Sequence, residues 1–150
     1  MVNEPPFTNN NRSYFMEDIK CFFKKDNFIV DVGIELLEVS PGYAKAKLDI
    51  EERHLNALNV VQGGALFTLA DLAFAAAINA HGNAAVIINA NMSFVKAATK
   101  GTLIAEAKET SISPKIATYN VNITDDDGNI VAIFQGMGYR KKTPNDFSCA

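Results

Sequence analysis

The most constraining feature of this sequence is a segment of small apolar residues at 63–80, which predicts one long helix. Its side chains are apolar nearly all round, and a helix that is apolar on every side is buried on every side. Gly63 and Gly64 open the segment, and Gly82 follows it at a position typical of a helix C-cap. Because the segment also contains Asp71, a buried helix in a soluble protein is favoured over a membrane span. The rest of the chain is therefore expected to surround this helix.

Alternating sequences on both sides of this helix predict a sheet. Residues 44–50 alternate apolar and charged side chains, which is the pattern of a half-buried antiparallel strand. Residues 29–39 are rich in β-branched side chains and are predicted as the strand before it. Further strands are predicted after the helix, at 86–94, 103–108, 117–124 and 130–139.

The order of these segments predicts an α+β fold, with the strands gathered in one sheet against one helix. An additional helix is expected near the N-terminus, capped by Ser13 and ending near Lys25. We expect a flexible segment at residues 1–11, a single domain at 12–142 and a C-terminal tail at 143–150.

Composition and charge argue against several functional classes. The net charge of −3 and the pI of about 5.3 give no global attraction to nucleic acid or to an anionic membrane. The N-terminus has neither the basic nor the apolar region of an export signal, so we expect a cytoplasmic protein whose Cys21 and Cys149 are free thiols. His54 and His81 lack ligand partners at the spacing of a metal site, so no metal is expected.

Asp71 is the one charged residue of the predicted helix, and no Lys or Arg occurs between Arg53 and Lys96. A buried carboxylate without a partner costs several kcal/mol, roughly, unless it is hydrogen-bonded or protonated. Proteins tolerate this cost mostly where the group serves chemistry, so Asp71 is a candidate catalytic residue. The alternative is an Asp that is bonded to a backbone amide or a hydroxyl and contributes to the specificity of folding or assembly.

The Gly63-Gly64 pair adds a second candidate feature. Two glycines allow a ligand to approach the backbone closely, and the first amides of a helix are unpaired donors with a favourable dipole. Together they suit a carbonyl oxygen that becomes an oxyanion. A tight turn into the helix is the alternative for a glycine pair alone.

Residues 54–71 carry a resemblance to a known family: they read His-Leu-Asn-Ala-Leu-Asn-Val-Val-Gln-Gly-Gly-Ala-Leu-Phe-Thr-Leu-Ala-Asp. This resembles the signature of hotdog-fold thioesterases of the phenylacetate-degradation type, and the similarity extends over about residues 28–142. The resemblance implies an antiparallel sheet wrapped around one long central helix. It also implies a homodimer, often paired again into a homotetramer, with active sites at the subunit interfaces.

Carried over by position, the resemblance assigns catalytic roles to four residues. Gly63 offers its backbone N–H to the thioester carbonyl, and Asp71 of the partner subunit is the nucleophile or the general base for water. Asn56 orients the thioester or the water. Gln62 stands where the family usually has His; it can form hydrogen bonds but cannot take a proton.

A second departure from the family lies in the strand after the helix. A small hydroxyl residue is common there, and the corresponding position is Ile87. The alternation of the strand predicts that Asn89 and Ser93 share the face of Ile87 and are able to replace that hydroxyl group.

The remaining candidate residues are assigned to substrate binding. Gly64, His54, Asn89 and Phe94 belong to the loop, the helix start and the following strand. Lys115, Arg140 and Lys141 are candidate partners for the phosphates of CoA, and a solvated edge is the alternative for each. No cofactor is expected other than the CoA of the substrate.

The sequence therefore predicts an acyl-CoA thioesterase. Gln62 and Ile87 favour an alternative, a hotdog module that binds acyl-CoA or a related ligand without hydrolysing it. A hydratase on the same fold is disfavoured, because it would need a catalytic His paired with a carboxylate, and neither His54 nor His81 stands at the expected position.

Overall fold

The structure is a computed structural model that describes residues 9–147 and 149, with side chains described from residue 15 onward. Nine helices and strands, together with a 3-10 turn at Glu52–His54, follow one another along the described chain. They are α1 (Asn9–Phe23), α2 (Asn27–Val32), β1 (Ile34–Ser40), β2 (Tyr43–Asp49), α3 (Gly63–Asn79), β3 (Asn83–Phe94), β4 (Thr102–Ile112), β5 (Ile116–Thr124) and β6 (Ile130–Pro144).

The strands form one antiparallel sheet of six strands in the order β1-β2-β4-β5-β6-β3. The sheet curves around α3, which contacts every strand. The core lies between them and contains Leu69, Phe74 and Ile78 of α3 packed against Val121 and Phe134 of the sheet. This confirms the α+β fold with a sheet around one long helix and an additional N-terminal helix.

One face of α3 is less buried than its sequence predicts. Phe67 remains 38% exposed, and Thr68, Asp71 and Ala75 on the same face are half-buried. These positions recur every three to four residues and therefore form one continuous stripe along the helix. The expectation that α3 is buried on every side is thus wrong within one chain, because the sheet covers only part of its circumference.

Strand β3 is an edge strand that pairs with β6 and leaves its other side open in the described residues. A bulge at Ile88 shifts its register, since Ile87 pairs with Gly138 and Asn89 pairs with Met137. Gly138 faces α3 whereas Met137 is exposed on the outer surface. The expectation that Asn89 and Ser93 share the face of Ile87 is therefore wrong, because the bulge adds one residue between them.

The segment predicted as a strand at 29–39 divides into α2 and β1. Asp26 caps α2 by accepting a hydrogen bond from the N–H of Ile29 at 3.1 Å. Gly33 then ends the helix with a φ of 86°, a left-handed conformation that favours glycine. These two capping residues outweigh the strand preference of the β-branched residues between them.

The ends of the chain also depart from the expected boundaries. Helix α1 begins at Asn9, so Ser13 lies inside it, and it ends at Phe23. Residues 1–8 of the segment expected to be flexible lie outside the described residues. Strand β6, expected to end near 139, continues to Pro144. None of the described helices is long and apolar enough to cross a membrane.

The C-terminal tail returns to the N-terminal helix. Phe147 is buried and makes edge-on ring contacts with Phe15 and Phe22 of α1. Cys21 and Cys149 are joined in a disulfide with a Cα–Cα distance of 5.9 Å. The expectation of two free thiols is therefore wrong: the sequence does not reveal that residues 128 positions apart meet in space.

Candidate active site

The start of α3 presents one backbone amide that is free to bind a ligand. Gln62 is the N-cap residue, and its side-chain Oε1 accepts a hydrogen bond from the N–H of Gly64. Within the described residues, the N–H of Gly63 donates to no acceptor. A helix N-terminus carries a partial positive charge, so this amide suits an oxygen that gains negative charge.

Gly63 lies against an aromatic ring at the edge of a groove. A Cβ placed on Gly63 would lie 3.2 Å from the ring of Phe94, so the ring occupies the space of a side chain. The groove has a volume of about 400 Å³ and is lined by both residues, by Asn56, by apolar side chains and by Lys96, whose Nζ is paired with Asp125 at 2.6 Å. These apolar side chains are Val60, Val61, Leu66, Val95, Ala97 and Ala98. The structure thus brings together Asn56, Gly63 and Phe94 of the predicted site.

Asn56 organises the loop that precedes α3. Its Oδ1 accepts hydrogen bonds from the N–H groups of Leu58, at 2.9 Å, and Val60, at 3.3 Å. Its backbone N–H donates to the carbonyl of Val60 at 2.8 Å. The side-chain Nδ2 has no acceptor within the described residues and remains a donor beside the groove.

His54 supports this loop but offers no free ring nitrogen to a substrate. The backbone N–H of Glu51 donates to Nδ1 at 2.9 Å, and Nε2 lies 2.6 Å from the carbonyl of Val32. The first contact fixes the tautomer, so Nε2 carries the proton and donates to Val32. The carbonyl of His54 also accepts from the N–H of Gln62 at 2.9 Å, which links the end of α2 to the start of α3. The structure therefore places His54 in a supporting position, outside the groove lining.

Asp71 lies on the exposed stripe of α3. Burial raises the pKa of its carboxyl group, and the negative charge of Asp26 raises it further. Its carboxylate forms no hydrogen bond or ion pair with the described residues, so nothing in this part of the chain offsets its loss of hydration. A carboxylate with a raised pKa is a stronger base than an ordinary Asp, which suits it to take a proton from water.

Asp71 and the N–H of Gly63 are too far apart to act on the same carbonyl within one chain. They are eight residues apart on one straight helix, which corresponds to about 12 Å along its axis at a rise of 1.5 Å per residue. A reacting carbonyl must lie within about 3 Å of both its oxyanion donor and the attacking group. Within one chain, these two groups therefore cannot reach the same carbonyl.

The predicted cations lie far from Gly63, at the other end of α3. The N–H of Arg140 donates to the carbonyl of Lys115 at 2.7 Å, and Lys141 follows on the same strand. Arg140 pairs with Ala85, which comes soon after the C-terminal end of α3, whereas Gly63 lies at the opposite end. Helix α3 has 17 residues, so these two ends are separated by roughly 25 Å.

Two other predicted binding residues lie outside the groove. Asn89 is on the outer face of the sheet, where it lines a separate groove of about 420 Å³ with Asn91, Gln135 and Met137. Gly64 gives its N–H to Gln62, and a Cβ at this position would come within 2.6 Å of that side chain. A larger residue at this position would therefore have to displace the capping side chain of Gln62.

The described residues contain no cluster of three or more His, Cys, Asp or Glu side chains that could hold a metal ion. His81 does pair with a carboxylate, because its Nε2 lies 2.6 Å from Oε2 of Glu109. The same oxygen accepts a hydrogen bond from the hydroxyl group of Tyr119 at 2.7 Å. This cluster lies at the C-terminal end of α3. Tyr119 also lines the groove that contains Asn89, whereas His81 and Glu109 line neither that groove nor the groove at Gly63.

Sequence reasoning did not identify Asp26 as a neighbour of Asp71. The two residues are brought together by the packing of α2 on α3. The sequence does contain one signal for α2, because an Asp just before an apolar run, such as Asp26, is a common helix N-cap.

Comparisons with known proteins identify related sequences and structures. The sequence model of the family described as the thioesterase superfamily matches residues 58–132. A provisionally named esterase of Archaeoglobus fulgidus is 39% identical over 131 residues, which cover 86% of this chain and 85% of that protein. The acyl-coenzyme A thioesterase PaaI of Escherichia coli is 29% identical over 83% of this chain and 89% of its own length. The solved structure of Escherichia coli PaaI superposes with a TM-score of 0.81 and 27% identity, covering 85% of this chain and 94% of that one.

Proposed function

We propose that this chain, which belongs to the thioesterase superfamily, hydrolyses acyl-CoA thioesters with Asp71 as its catalytic carboxylate. The observation that carries the proposal is the pair formed by a free N–H at Gly63 and a half-buried carboxylate without a hydrogen-bonding partner at Asp71. The N–H of Gly63 suits a developing oxyanion, and the carboxylate of Asp71 suits attack on a carbonyl carbon.

The reaction follows from these two groups. The thioester carbonyl accepts a hydrogen bond from the N–H of Gly63, which becomes stronger as the oxygen gains charge. Asp71 either attacks the carbonyl carbon itself or takes a proton from the water molecule that attacks it. The carbon–sulfur bond then breaks, and the CoA thiolate leaves and is protonated. If water is the nucleophile, the acyl group is released directly as a carboxylic acid. If Asp71 is the nucleophile, a mixed anhydride forms, and a water molecule hydrolyses it to the carboxylic acid and free Asp71. Asn56 has a free Nδ2 beside the groove to orient the thioester or the water.

The separation of Asp71 from Gly63 requires a second subunit. Two copies of α3 that cross antiparallel near Phe67 place Asp71 of one subunit beside Gly63 of the other, since Phe67 lies midway between them. The half-buried stripe of α3 supplies the surface for this contact. The open edge of β3 supports the same arrangement, because Val86 is 45% and Ile88 is 53% exposed there. Exposed apolar edge strands are typical sites of strand pairing.

This dimer also gives the distant cations a role. If β3 pairs antiparallel with its copy about its middle, Phe94 of one subunit lies near Ala85 of the other. Arg140 pairs with Ala85 from the neighbouring strand β6. In this dimer it would therefore lie two strand spacings, or about 10 Å, from Phe94 and the groove of the first subunit. Lys115 and Lys141 are neighbours of Arg140 through a backbone hydrogen bond and along β6. The CoA phosphates would then be bound by the subunit that supplies Asp71.

Gln62 is compatible with this chemistry. Its observed contact is a hydrogen bond to the N–H of Gly64, which requires an acceptor but no proton transfer. An amide oxygen performs this role as well as an imidazole nitrogen. The difference from the usual His therefore leaves the free amide of Gly63 in place.

Thiol release from a panel of acyl-CoA esters tests the proposal, with wild type and Asp71→Asn measured in parallel. The variant keeps the size of the side chain and removes the carboxylate. We expect turnover by wild type and a loss of roughly 10³-fold or more in the variant. Equal rates for the two proteins would refute the role of Asp71. Tight binding of the esters with no turnover by wild type would instead establish a binding module.

A further inference from the structure

Helix α1 is attached to the rest of the molecule by few buried side chains. Among the residues of α1 whose side chains are described, Ile19 is the one that is fully buried. Three others are partly buried against the core, namely Phe15, Met16 and Phe23. Since the stability of a helix in a protein comes mostly from the packing of its apolar face, α1 is expected to be one of the less stable elements of the fold.

A cavity of about 580 Å³ lies between α1 and the elements that it covers. Cys21 and Phe23 of α1 are on one side of it, and the buried aliphatic side chains on its other side include Ile29, Ile34 and Leu72. Atoms that face a cavity make fewer van der Waals contacts than atoms in a packed core. The cavity therefore weakens the attachment of α1 further.

The disulfide holds α1 in place from the C-terminal tail. Cys21 and Cys149 both line the cavity, and the bond between them joins α1 to the tail. The tail is anchored shortly before the bridge by Asn145, whose N–H donates to the carbonyl of Gly82 at 2.9 Å. The side-chain Nδ2 of Asn145 donates to the carbonyl of Asn79 at 2.9 Å. Helix α1 is thus linked through the tail to the C-terminal end of α3.

The bridge is accessible to a reductant. Cys149 is exposed, and Cys21 is half-buried. Exposed disulfides exchange readily with thiols, whereas bridges that serve a purely structural role commonly resist reduction. The bridge is therefore placed where it can open and close while the sheet and α3 stay folded.

The end of α1 also positions Asp26. The backbone N–H of Asp26 donates to the carbonyl of Phe23 at 3.1 Å, and its side chain caps α2. Helix α2 packs on α3, and the negative charge of Asp26 raises the pKa of the Asp71 carboxyl group. A change at the end of α1 is therefore transmitted to the candidate catalytic residue through one short helix.

We propose that the bridge between Cys21 and Cys149 is a redox switch, whose reduction by a dithiol releases α1 and the tail, opens the cavity and lowers the activity of the site at Asp71. The effect on activity rests on the proposed function, whereas the opening does not. In the reduced protein α1 keeps only its own packing, so Asp26 is no longer held in one position. Asp71 then becomes more hydrated, which makes its carboxylate a weaker base.

The exchange takes place in two steps. A thiolate of the dithiol attacks Sγ of the exposed Cys149, the bond between the two Sγ atoms breaks, and Cys21 leaves as a thiolate that takes a proton. The second thiolate of the dithiol attacks the reductant's own sulfur in the mixed disulfide, and Cys149 leaves as a thiolate that takes a proton. Two electrons and two protons thus pass to the protein, and the dithiol is oxidised to a cyclic disulfide.

Reduction of the folded protein and hydrogen exchange test the switch. Wild type is incubated with dithiothreitol in the absence of denaturant, its thiols are counted by alkylation, and amide exchange is followed by mass spectrometry. We expect both thiols to be released and exchange within residues 16–25 to rise by roughly 30-fold or more, the lower end of the usual effect of a disulfide. Strand β5, in the interior of the sheet, should stay protected over the same period. Reoxidation should restore the protection of α1.

Cys149→Ser is the matched control, because it lacks the bridge in both conditions. Residues 16–25 of this variant should exchange as they do in reduced wild type, with or without dithiothreitol. A bridge that opens only in denaturant would overturn the proposal, and so would protection of α1 that is the same before and after reduction.

Hydrolysis of acyl-CoA esters is measured on the same samples after the dithiothreitol is removed. The kcat/KM of wild type should fall by roughly twofold or more on reduction and recover on reoxidation, and that of Cys149→Ser should not respond. Equal kcat/KM in the two states, with α1 open in one of them, would overturn the link to Asp71. A difference in exchange without hydrolysis in either state would retain the opening and reject the proposed function. Hydrolysis with an unchanged α1 would retain the proposed function and reject the switch.

Discussion

The side chain of Gln62 accepts a hydrogen bond from the N–H of Gly64, and this contact determines which amide of α3 is available to a ligand. The helix cap uses one of the first amides and leaves the N–H of Gly63 free in the described structure. The ring of Phe94 then covers the side of Gly63 where a Cβ would stand. The free amide is therefore presented at the edge of the groove in a fixed orientation.

Replacement of Gly63 by Pro should remove the oxyanion donor with little change to the helix. Proline is favoured at the first position of a helix, and Gln62 has the extended conformation that a residue before proline requires, with ψ of 137°. The expected loss in kcat is about 10²- to 10³-fold, the usual effect of removing one oxyanion donor. Thiol release measures the loss in kcat, and circular dichroism measures the helix content.

Gly63→Ala is the matched control for this substitution. It adds a Cβ that must displace the ring of Phe94 by a few tenths of an ångström, but it keeps the N–H. We expect a smaller loss of activity than for Gly63→Pro, with recovery in the double variant with Phe94→Leu. Equal activity of the Pro and Ala variants would show that the N–H of Gly63 takes no part in the reaction.

The negative charge of Asp26 should determine part of the pH dependence. In the proposed reaction Asp71 acts as a carboxylate, so activity should rise as the pH passes its pKa, which burial and the charge of Asp26 raise. Asp26→Asn removes the charge but retains the cap of α2, because Asn and Asp are comparable N-cap residues. In this variant the acidic limb of kcat/KM should move to lower pH. Burial of Asp71 should still keep its pKa above the ordinary range of an Asp side chain.

Asp31→Asn controls for a general change in charge. Asp31 is also exposed on α2, but it is not among the groups that shift the pKa of Asp71. The pH profile of this variant should match that of wild type. An acidic limb that stays in place in Asp26→Asn, or that moves equally in both variants, would contradict the electrostatic effect of Asp26 on Asp71.

Reduction of the disulfide should destabilise the protein. The bridge between Cys21 and Cys149 closes almost the whole chain, with a separation of 128 residues, and it holds Phe147 against α1. Removal of such a link commonly costs about 2–4 kcal/mol of unfolding free energy. Urea unfolding with and without reductant measures the loss, and Cys149→Ser should unfold at the same urea concentration in both conditions. Titration of two free thiols in the unreduced, unfolded protein would show that the bridge is absent.

The sequence predicted the parts of the molecule whose signals are local. The apolar period of α3 and the alternation of β2 required no knowledge of distant contacts. The grouping of Asn56 with Gly63 was also predictable, because both residues lie in one short loop-to-helix motif.

The parts that were missed depend on capping residues that compete with another local preference, or on contacts distant in sequence. The β-branched residues before Gly33 favour a strand, but the caps of α2 convert them to a helix. The bulge at Ile88 places the residues after it on the opposite faces of β3 from those that alternation predicts, and no single residue in that strand predicts the bulge. The approach of Asp26 to Asp71, like the disulfide, arises only when separate helices pack together.

The central claim is that each active site combines Gly63 of one subunit with Asp71 of the other. Two inactive chains, Gly63→Pro and Asp71→Asn, are co-expressed with different affinity tags, and the mixed dimer is purified through both. One of its two sites then contains an intact Gly63 and an intact Asp71, so thiol release should recover to about half of the wild-type rate. A mixed dimer that remains as inactive as its two parents would contradict the account.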